Sequence, residues 1–275
     1  MMVLMVKVAL LYWREDPAGR GISLAIRDLL NEYGELSGKV SLVELGKNPL
    51  TITQDDVDSL GINTDSHIVV LSKHSSESGR PSLTVHPAGN PSNDAALGGS
   101  PRRLSYSTPL LMKLLLSMLF KKVSGSDITG FYVGLEATHH GPTDLDNPLC
   151  FIEIGSTPEM WVRVDLHRLV GEAVLGALND FLSISEQSCV VVASFGENHY
   201  PARLTRRVIE SNICVSHIIA RYALKNLDEG IVQQALTKSV PPASMVFIEK
   251  NSVSRASENV ILAKAKELGI KIEYY

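Results

Sequence analysis

Cysteine is nearly absent: Cys150, Cys189 and Cys214 are the only three, and none makes a Cys-x-x-Cys pair. An odd count without paired spacing suits a reducing cytosol. Cys150 and Cys189 each open an apolar run and read as core thiols. None of the three has the polar setting that marks a nucleophile. An excess of basic charge is also missing, since 26 Lys and Arg against 30 Asp and Glu leave a net charge of −4. Such a chain does not coat nucleic acid electrostatically, so any RNA must be met through a local patch. Long apolar runs are lacking as well. Pro109–Phe120 is the most apolar segment, but Lys113 interrupts it and it is shorter than the ~20 residues of a membrane span. It reads as a buried helix. Met1–Lys7 has no basic stretch ahead of its apolar residues, so no signal peptide is read there, and the chain is expected to be cytoplasmic, with no membrane partner. G-x-S-x-G, P-loop and HExxH signatures are absent. No internal repeat and no linker cuts the chain, so 1–275 reads as a single domain, taken as a monomer.

What is present is an ordinary globular composition, 44% apolar and 20% charged, enough for a full core. Apolar runs predict strands at Val6–Trp13, Val40–Leu45, His67–Leu71, Gly130–Ala137, Phe151–Ile154, Val190–Phe195, Met245–Ile248 and Ile270–Tyr275. Helical spacing is expected from Ile22 to Leu30, over Asp55–Leu60, from Pro109, over Leu166–Phe181 behind a possible Asp165 cap, and over Ala202–Ser211, His217–Leu227 and Arg255–Leu268. Strands alternating with helices imply an α/β fold with a mostly parallel sheet and helices on both faces.

The chain is organised around the polar stretch Ser72–Asn90. It follows a buried strand and carries Lys73, His74, Glu77, Arg80 and His86 among several hydroxyls. A solvated loop would look similar, but two imidazoles, an acid and a Gly-Arg-Pro turn make a plausible site loop. Four of the eight histidines, His74, His139, His140 and His199, fall just past strand C-terminal ends. Open α/β sheets bind ligands there. Glu77, Glu136 and Glu197 accompany them, and histidine with carboxylate is a donor set zinc accepts. His67, His167 and His217 read as structural or solvated. On an extended chain His139 and His140 point opposite ways, so only one faces the site unless the chain turns at Gly141.

The stretch Ser72–Asn90 closely resembles the archaeal and plant type of D-aminoacyl-tRNA deacylase. Glu136–Pro142, Gly155–Trp161, Gly196–Arg203 and Ser216–Leu224 are similar to the same family. The resemblance implies hydrolysis of the ester joining a D-amino acid to the 3′ end of tRNA, with zinc as cofactor. It also implies a three-layer α/β/α fold like the phosphorylase and peptidyl-tRNA hydrolase class. Chemistry placed on the matching positions makes His74 and Glu136 catalytic, with Lys73 and Arg80 holding a phosphate or oxyanion. His86, His139, His140 and His199 become candidate metal ligands. Ser75, Ser76, Glu77, Gly79, Pro87, Gly89, Asn90 and Thr138 become candidate substrate contacts. Of the basic clusters Arg102-Arg103, Lys121-Lys122 and Arg203/Arg206/Arg207, the pair Arg206 and Arg207 is best placed for tRNA phosphates. The alternatives are a hydrolase or phosphorylase of the same fold and a non-catalytic tRNA-binding module.

Overall fold

The computed structural model describes residues 7–184 and 189–275, so Val6, the expected start of the first strand, lies outside the described residues. The strands are β1 Val8–Trp13, β2 Val40–Leu45, β3 His67–Ser75, β4 Ser82–His86, β5 Gly89–Asn90, β6 Arg103–Leu104, β7 Tyr132–Leu135, β8 Leu149–Ser156, β9 Val190–Glu197, β10 Ile213–Ala220, β11 Met245–Ile248 and β12 Lys271–Tyr274. The helices are α1 Pro17–Leu29, α2 Gln54–Ser59, α3 Pro109–Ser124, α4 Pro158–Trp161, α5 Val164–Ser183, α6 Ala202–Glu210, α7 Glu229–Thr237 and α8 Arg255–Glu267.

The mixed, mostly parallel α/β class stands, but the strands divide into two main sheets. One is six-stranded, β2-β1-β3-β8-β4-β7, and the other four-stranded, β10-β9-β11-β12. In the first, β4 runs antiparallel to β8 while the β2-β1-β3-β8 pairs are parallel. The apolar run of β1 is continuous because both of its faces are covered. Val8, Leu10 and Tyr12 join one core, and Ala9 and Leu11 join another on the opposite face. The first core also takes Val192, Val215 and Phe247 from the second sheet, so apolar packing joins the two.

Local signals explain most element boundaries. Asp16 caps α1, its Oδ1 accepting from Gly19 N at 2.9 Å. Its Oδ2 accepts from Lys73 N at 2.9 Å, which ties the start of α1 to β3. Asp165 does not cap α5; Arg163 holds the cap position, and Asp165 pairs with it in the first turn. The helix expected at His217–Leu227 is the end of β10 followed by a 3₁₀ turn over Arg221–Asn226. The β-branched run Ile213–Ile219 suits a buried strand. A register shift between Val215 and Ile218 breaks its period-two pattern, so it escapes a search for strict alternation. Among the described residues no helix is long and apolar enough to cross a membrane.

The core-thiol reading of Cys189 is corrected. Parallel β9 and β10 bring it to Cys214 with Cα atoms 5.8 Å apart, and the two form a disulfide. The pairing needs the strand order, which composition does not carry. Disulfides are rare in cytosolic proteins outside hyperthermophiles, so this bond runs against the reducing-cytosol expectation. Cys150 is free and buried, as expected.

His67, His167 and His217 are structural. His217 Nε2 lies 3.1 Å from the Ser105 carbonyl and 3.0 Å from that of Lys238, and His167 Nε2 lies 2.8 Å from the Trp161 carbonyl. His67 Nδ1 meets Thr108 Oγ1 at 2.8 Å, and burial pushes this imidazole down to about 4. In the unfolded chain the same group titrates near ~6.5. The unfolded state therefore binds the extra proton first, and native stability falls as pH drops from ~6.5 toward 4. A His67→Gln variant is expected to lose less stability than wild type between pH 7.5 and pH 4.5, by about 3 kcal/mol at most. Denaturant melts at the two pH values measure this, and an identical pH dependence in the variant would contradict it.

Candidate functional site

The site lies at the seam between the two sheets. Leaving β7, Ala137 N donates to the His199 carbonyl at 2.8 Å and Thr138 N to the Ile218 carbonyl at 2.9 Å. Gly89 N then donates to the His140 carbonyl at 2.7 Å. Gly89 sits at φ 149°, and a Cβ there would lie 2.8 Å from Leu104 Cα. Only glycine fits so close to another backbone.

His139 and His140 both face the site, because the chain turns one residue before Gly141. His140 adopts φ 47°, a left-handed conformation that redirects the backbone. The His86 ring centroid then lies 4.4 Å from that of His139 and 4.8 Å from that of His140. His86 closes β4, and Phe151 stacks on its ring at 5.2 Å. All three imidazoles direct Nδ1 at a backbone carbonyl: His86 at Pro87 (3.2 Å), His139 at Ala137 (2.8 Å) and His140 at Gly141 (2.7 Å). A carbonyl only accepts, so each Nδ1 carries the proton and each Nε2 is left as the coordinating nitrogen.

Two carboxylates complete the cluster. Glu136 follows β7 directly and is fully buried. Its Oε2 lies 3.1 Å from His199 Nε2 and 3.6 Å from His139 Nε2. Its Oε1 lies 3.4 Å from His74 Nδ1. Glu153, on β8, sets Oε2 3.3 Å from His74 Nδ1 and 3.6 Å from His86 Nε2. Burial alone would lower His74 and His86, but Glu153 and Glu136 outweigh it and hold both imidazoles above their ordinary range. Burial and then the neighbouring rings push His139 well down, and burial and then His86 take His140 to about 4. Burial opposes ionisation of Glu136 and Glu153, yet the surrounding imidazoles keep both below the usual carboxylate range.

Two overlapping groups can hold a metal ion, His86–His139–His140 and His74–Glu136–His139, with ligand atoms within 4.8 Å of one another in each. The buried atoms test the fit. Among the described residues, His86 Nε2 and Glu136 Oε1 are buried without a hydrogen-bond partner. An imidazole nitrogen left bare opposite a carboxylate is what a bound cation would resolve. His199 stands in neither group, a departure from its expected role. Glu136 and the Tyr222 hydroxyl, 3.1 Å from Nδ1, engage both of its nitrogens.

Other expected residues are placed as follows. Lys73 stands apart from the imidazoles: successive residues of a strand face opposite ways. It therefore points away from the histidines, with its ammonium 4.7 Å over the Trp161 ring. His74 itself belongs to β3 rather than to a loop, and its Nε2 meets the Tyr200 hydroxyl at 2.7 Å. Ser75 closes β3 and Glu77 follows it, both exposed, Ser76 bonds Ser78, and Gly79 turns at φ 60°. The Arg80 guanidinium lies 5.5 Å over the Tyr132 ring. Asn90 braces its own loop through Gly98 and Ser100, and the Thr138 hydroxyl accepts from Ile218 N. Glu197 turns away from the cluster to Ser194, and burial and then Glu249 push it up to about 7. Arg207 pairs with Glu273 at 2.7 Å and stacks on Phe247 and Tyr275. The Arg206 side chain is 78% exposed, with Glu210 at 4.0 Å. Glu153, Tyr200 and Tyr222 were not anticipated. Glu153 had a signal, a lone acid inside an otherwise apolar strand, since a buried carboxylate needs a partner.

Imidazoles and two buried carboxylates thus gather at one seam of an α/β protein, in groups that could hold a metal ion. A family model described as D-aminoacyl-tRNA deacylase matches residues 62–273. The chain is 37% identical over 98% of its length to a D-aminoacyl-tRNA deacylase of Aeropyrum pernix, of which 99% is covered. It is 36% identical to one of Hyperthermus butylicus, over 97% of this chain and 99% of that one. A crystal structure described as a conserved protein of unknown function superposes with a TM-score of 0.85 at 26% identity, over 98% of this chain and 95% of that one. The chain belongs to the D-aminoacyl-tRNA deacylase family.

Proposed function

We propose that the chain, acting as one domain over 1–275 in the cytoplasm, hydrolyses the ester of D-aminoacyl-tRNA to free D-amino acid and tRNA. The observation that carries this reading is the buried His–Glu cluster opening at the seam of the sheets, in a chain of this family. We further propose that His86, His139 and His140 hold a zinc ion through Nε2. Bound there, zinc supplies Lewis acidity to water or to the ester carbonyl. Glu136, whose Oε1 accepts no hydrogen bond, takes the proton of the attacking water. His74, its imidazole held above the ordinary range by Glu153 and Glu136, faces the charge that develops on the ester oxygens. Glu153 and Tyr200 fix its ring. Arg206, the least engaged arginine of α6, contacts a phosphate of the tRNA arm.

Product analysis tests the reading. Incubated with D-tyrosyl-tRNA, the protein is expected to release free D-tyrosine and leave tRNA that can be charged again, at a rate independent of inorganic phosphate. Phosphate dependence would support the phosphorylase alternative. Binding without release would support a tRNA-binding module.

A further inference from the structure

Two cavities of different character flank the histidine cluster. The larger, about 140 Å³, has His139 and His140 in its wall, with Pro91, Asp94, Leu97 and Tyr222 around them. The smaller, about 20 Å³, is lined by Ser78, Arg80, Ser82, Tyr132 and Tyr200. A row of rings joins the two. The Tyr132 and Tyr200 centroids lie 5.4 Å apart, Tyr200 and His199 4.8 Å, and His199 and Tyr222 6.1 Å. The row touches the centre twice, at Tyr200 with His74 and at His199 with Glu136. Tyr222 and Leu97 are 60% and 61% exposed, respectively. Both therefore present open surface in the wall of the larger cavity, beside His139 and His140.

The two ends differ in charge. No lysine or arginine lines the larger cavity, and Asp94 is its one acid. Arg80 is the one charged residue of the smaller. An aminoacyl ester has the same asymmetry about its scissile bond, with a protonated α-amine on the acyl side and phosphodiester on the nucleotide side. The larger cavity has roughly the liquid volume of four or five waters, which suits an amino-acid side chain rather than a nucleotide. Aromatic rings beside a cation are in turn what single-stranded RNA stacks on.

Resting on the deacylase reading, we propose an orientation for the substrate. The amino-acid side chain enters the cavity between Leu97 and Tyr222, with its ammonium toward Asp94. The 3′-terminal nucleotide lies along Tyr132 and Tyr200, with phosphate at Arg80. Leu97 is then a specificity-determining residue and Asp94 the recognition element for the amine.

The test is kcat/KM for D-tyrosyl- and D-alanyl-tRNA with full-length wild type, Leu97→Trp and Asp94→Asn. Leu97 and Asp94 are exposed, so both variants keep the fold. Filling the cavity in Leu97→Trp is expected to cut the D-tyrosyl rate at least ~10-fold more than the D-alanyl rate. Asp94→Asn is expected to raise KM several-fold for both substrates, but not for N-acetyl-D-tyrosyl-tRNA, whose nitrogen carries no charge. Equal loss on both substrates in Leu97→Trp would place the shared nucleotide in this cavity and overturn the orientation. No change in either ratio or KM would overturn it too. Failure of wild type to release any D-amino acid would instead remove the deacylase reading on which it rests.

Discussion

His139→Ala is expected to lose its metal and its activity together. His139 is the residue common to both groups that can hold an ion. Its ring lies 4.4 Å from that of His86 and 4.3 Å from that of His140, so no neighbouring imidazole replaces it without moving the seam. Elemental analysis of the purified variant should find less than about a tenth of the wild-type zinc, and kcat/KM should fall at least ~1000-fold, about 4 kcal/mol of transition-state stabilisation. His139 is 19% exposed and belongs to none of the apolar cores, so circular dichroism should show an intact fold. Full zinc content in the variant would show that the ligand set is wrong. Full activity without zinc would show that the ion is not used.

His74→Ala should behave differently, keeping its zinc while losing ~100-fold or more in rate. The structure puts His74 outside the three-imidazole group and between two buried carboxylates, 3.4 Å from Glu136 and 3.3 Å from Glu153. Removing it deletes a positioned proton-bearing group, an effect on the scale of general acid–base catalysis. It also leaves both carboxylates facing each other with less positive charge between them, which raises their affinity for protons. The pH optimum of the residual activity should therefore move upward, because Glu136 must be ionised to act as the base. A folded His74→Ala protein with a near-normal rate would move the chemistry to His199, which shares Glu136. Loss of zinc in this variant would place the ion in the His74–Glu136–His139 group.

The strand ends were legible because histidines stood directly after apolar runs. His74, His139 and His140 could be singled out from sequence because each stands at or just past an apolar run, but β4 and β7 run opposite to β3 and β8, so His86, His139 and His140 meet His74 through an antiparallel pairing. Their partition into roles was not legible. His199 and His139 look equivalent in sequence, and only the hydrogen bonds to Glu136 and Tyr222 separate them. Lys73 and His74 are neighbours, and the pleat of β3 sends them to opposite faces. Glu153 was hidden inside a strand whose apolar neighbours dominate its pattern. The left-handed turn at His140 has no local signal either, since histidine adopts it only where the surrounding seam fixes the backbone. The division into two sheets and the Cys189–Cys214 bond depend on which strands pair, a long-range property that periodicity does not record.

The central claim is that this histidine–carboxylate centre is a metal-dependent hydrolase acting on one enantiomer of aminoacyl ester. The measurement that tests it most directly is deacylation of matched D- and L-tyrosyl-tRNA by the same preparation, before and after chelation and after zinc is restored. The expected result is rapid release from D-tyrosyl-tRNA only, lost on chelation and regained with zinc. A preference of ~100-fold corresponds to about 2.7 kcal/mol between the two transition states. Equal hydrolysis of both enantiomers, or undiminished D-tyrosyl release from metal-free protein, would contradict the account.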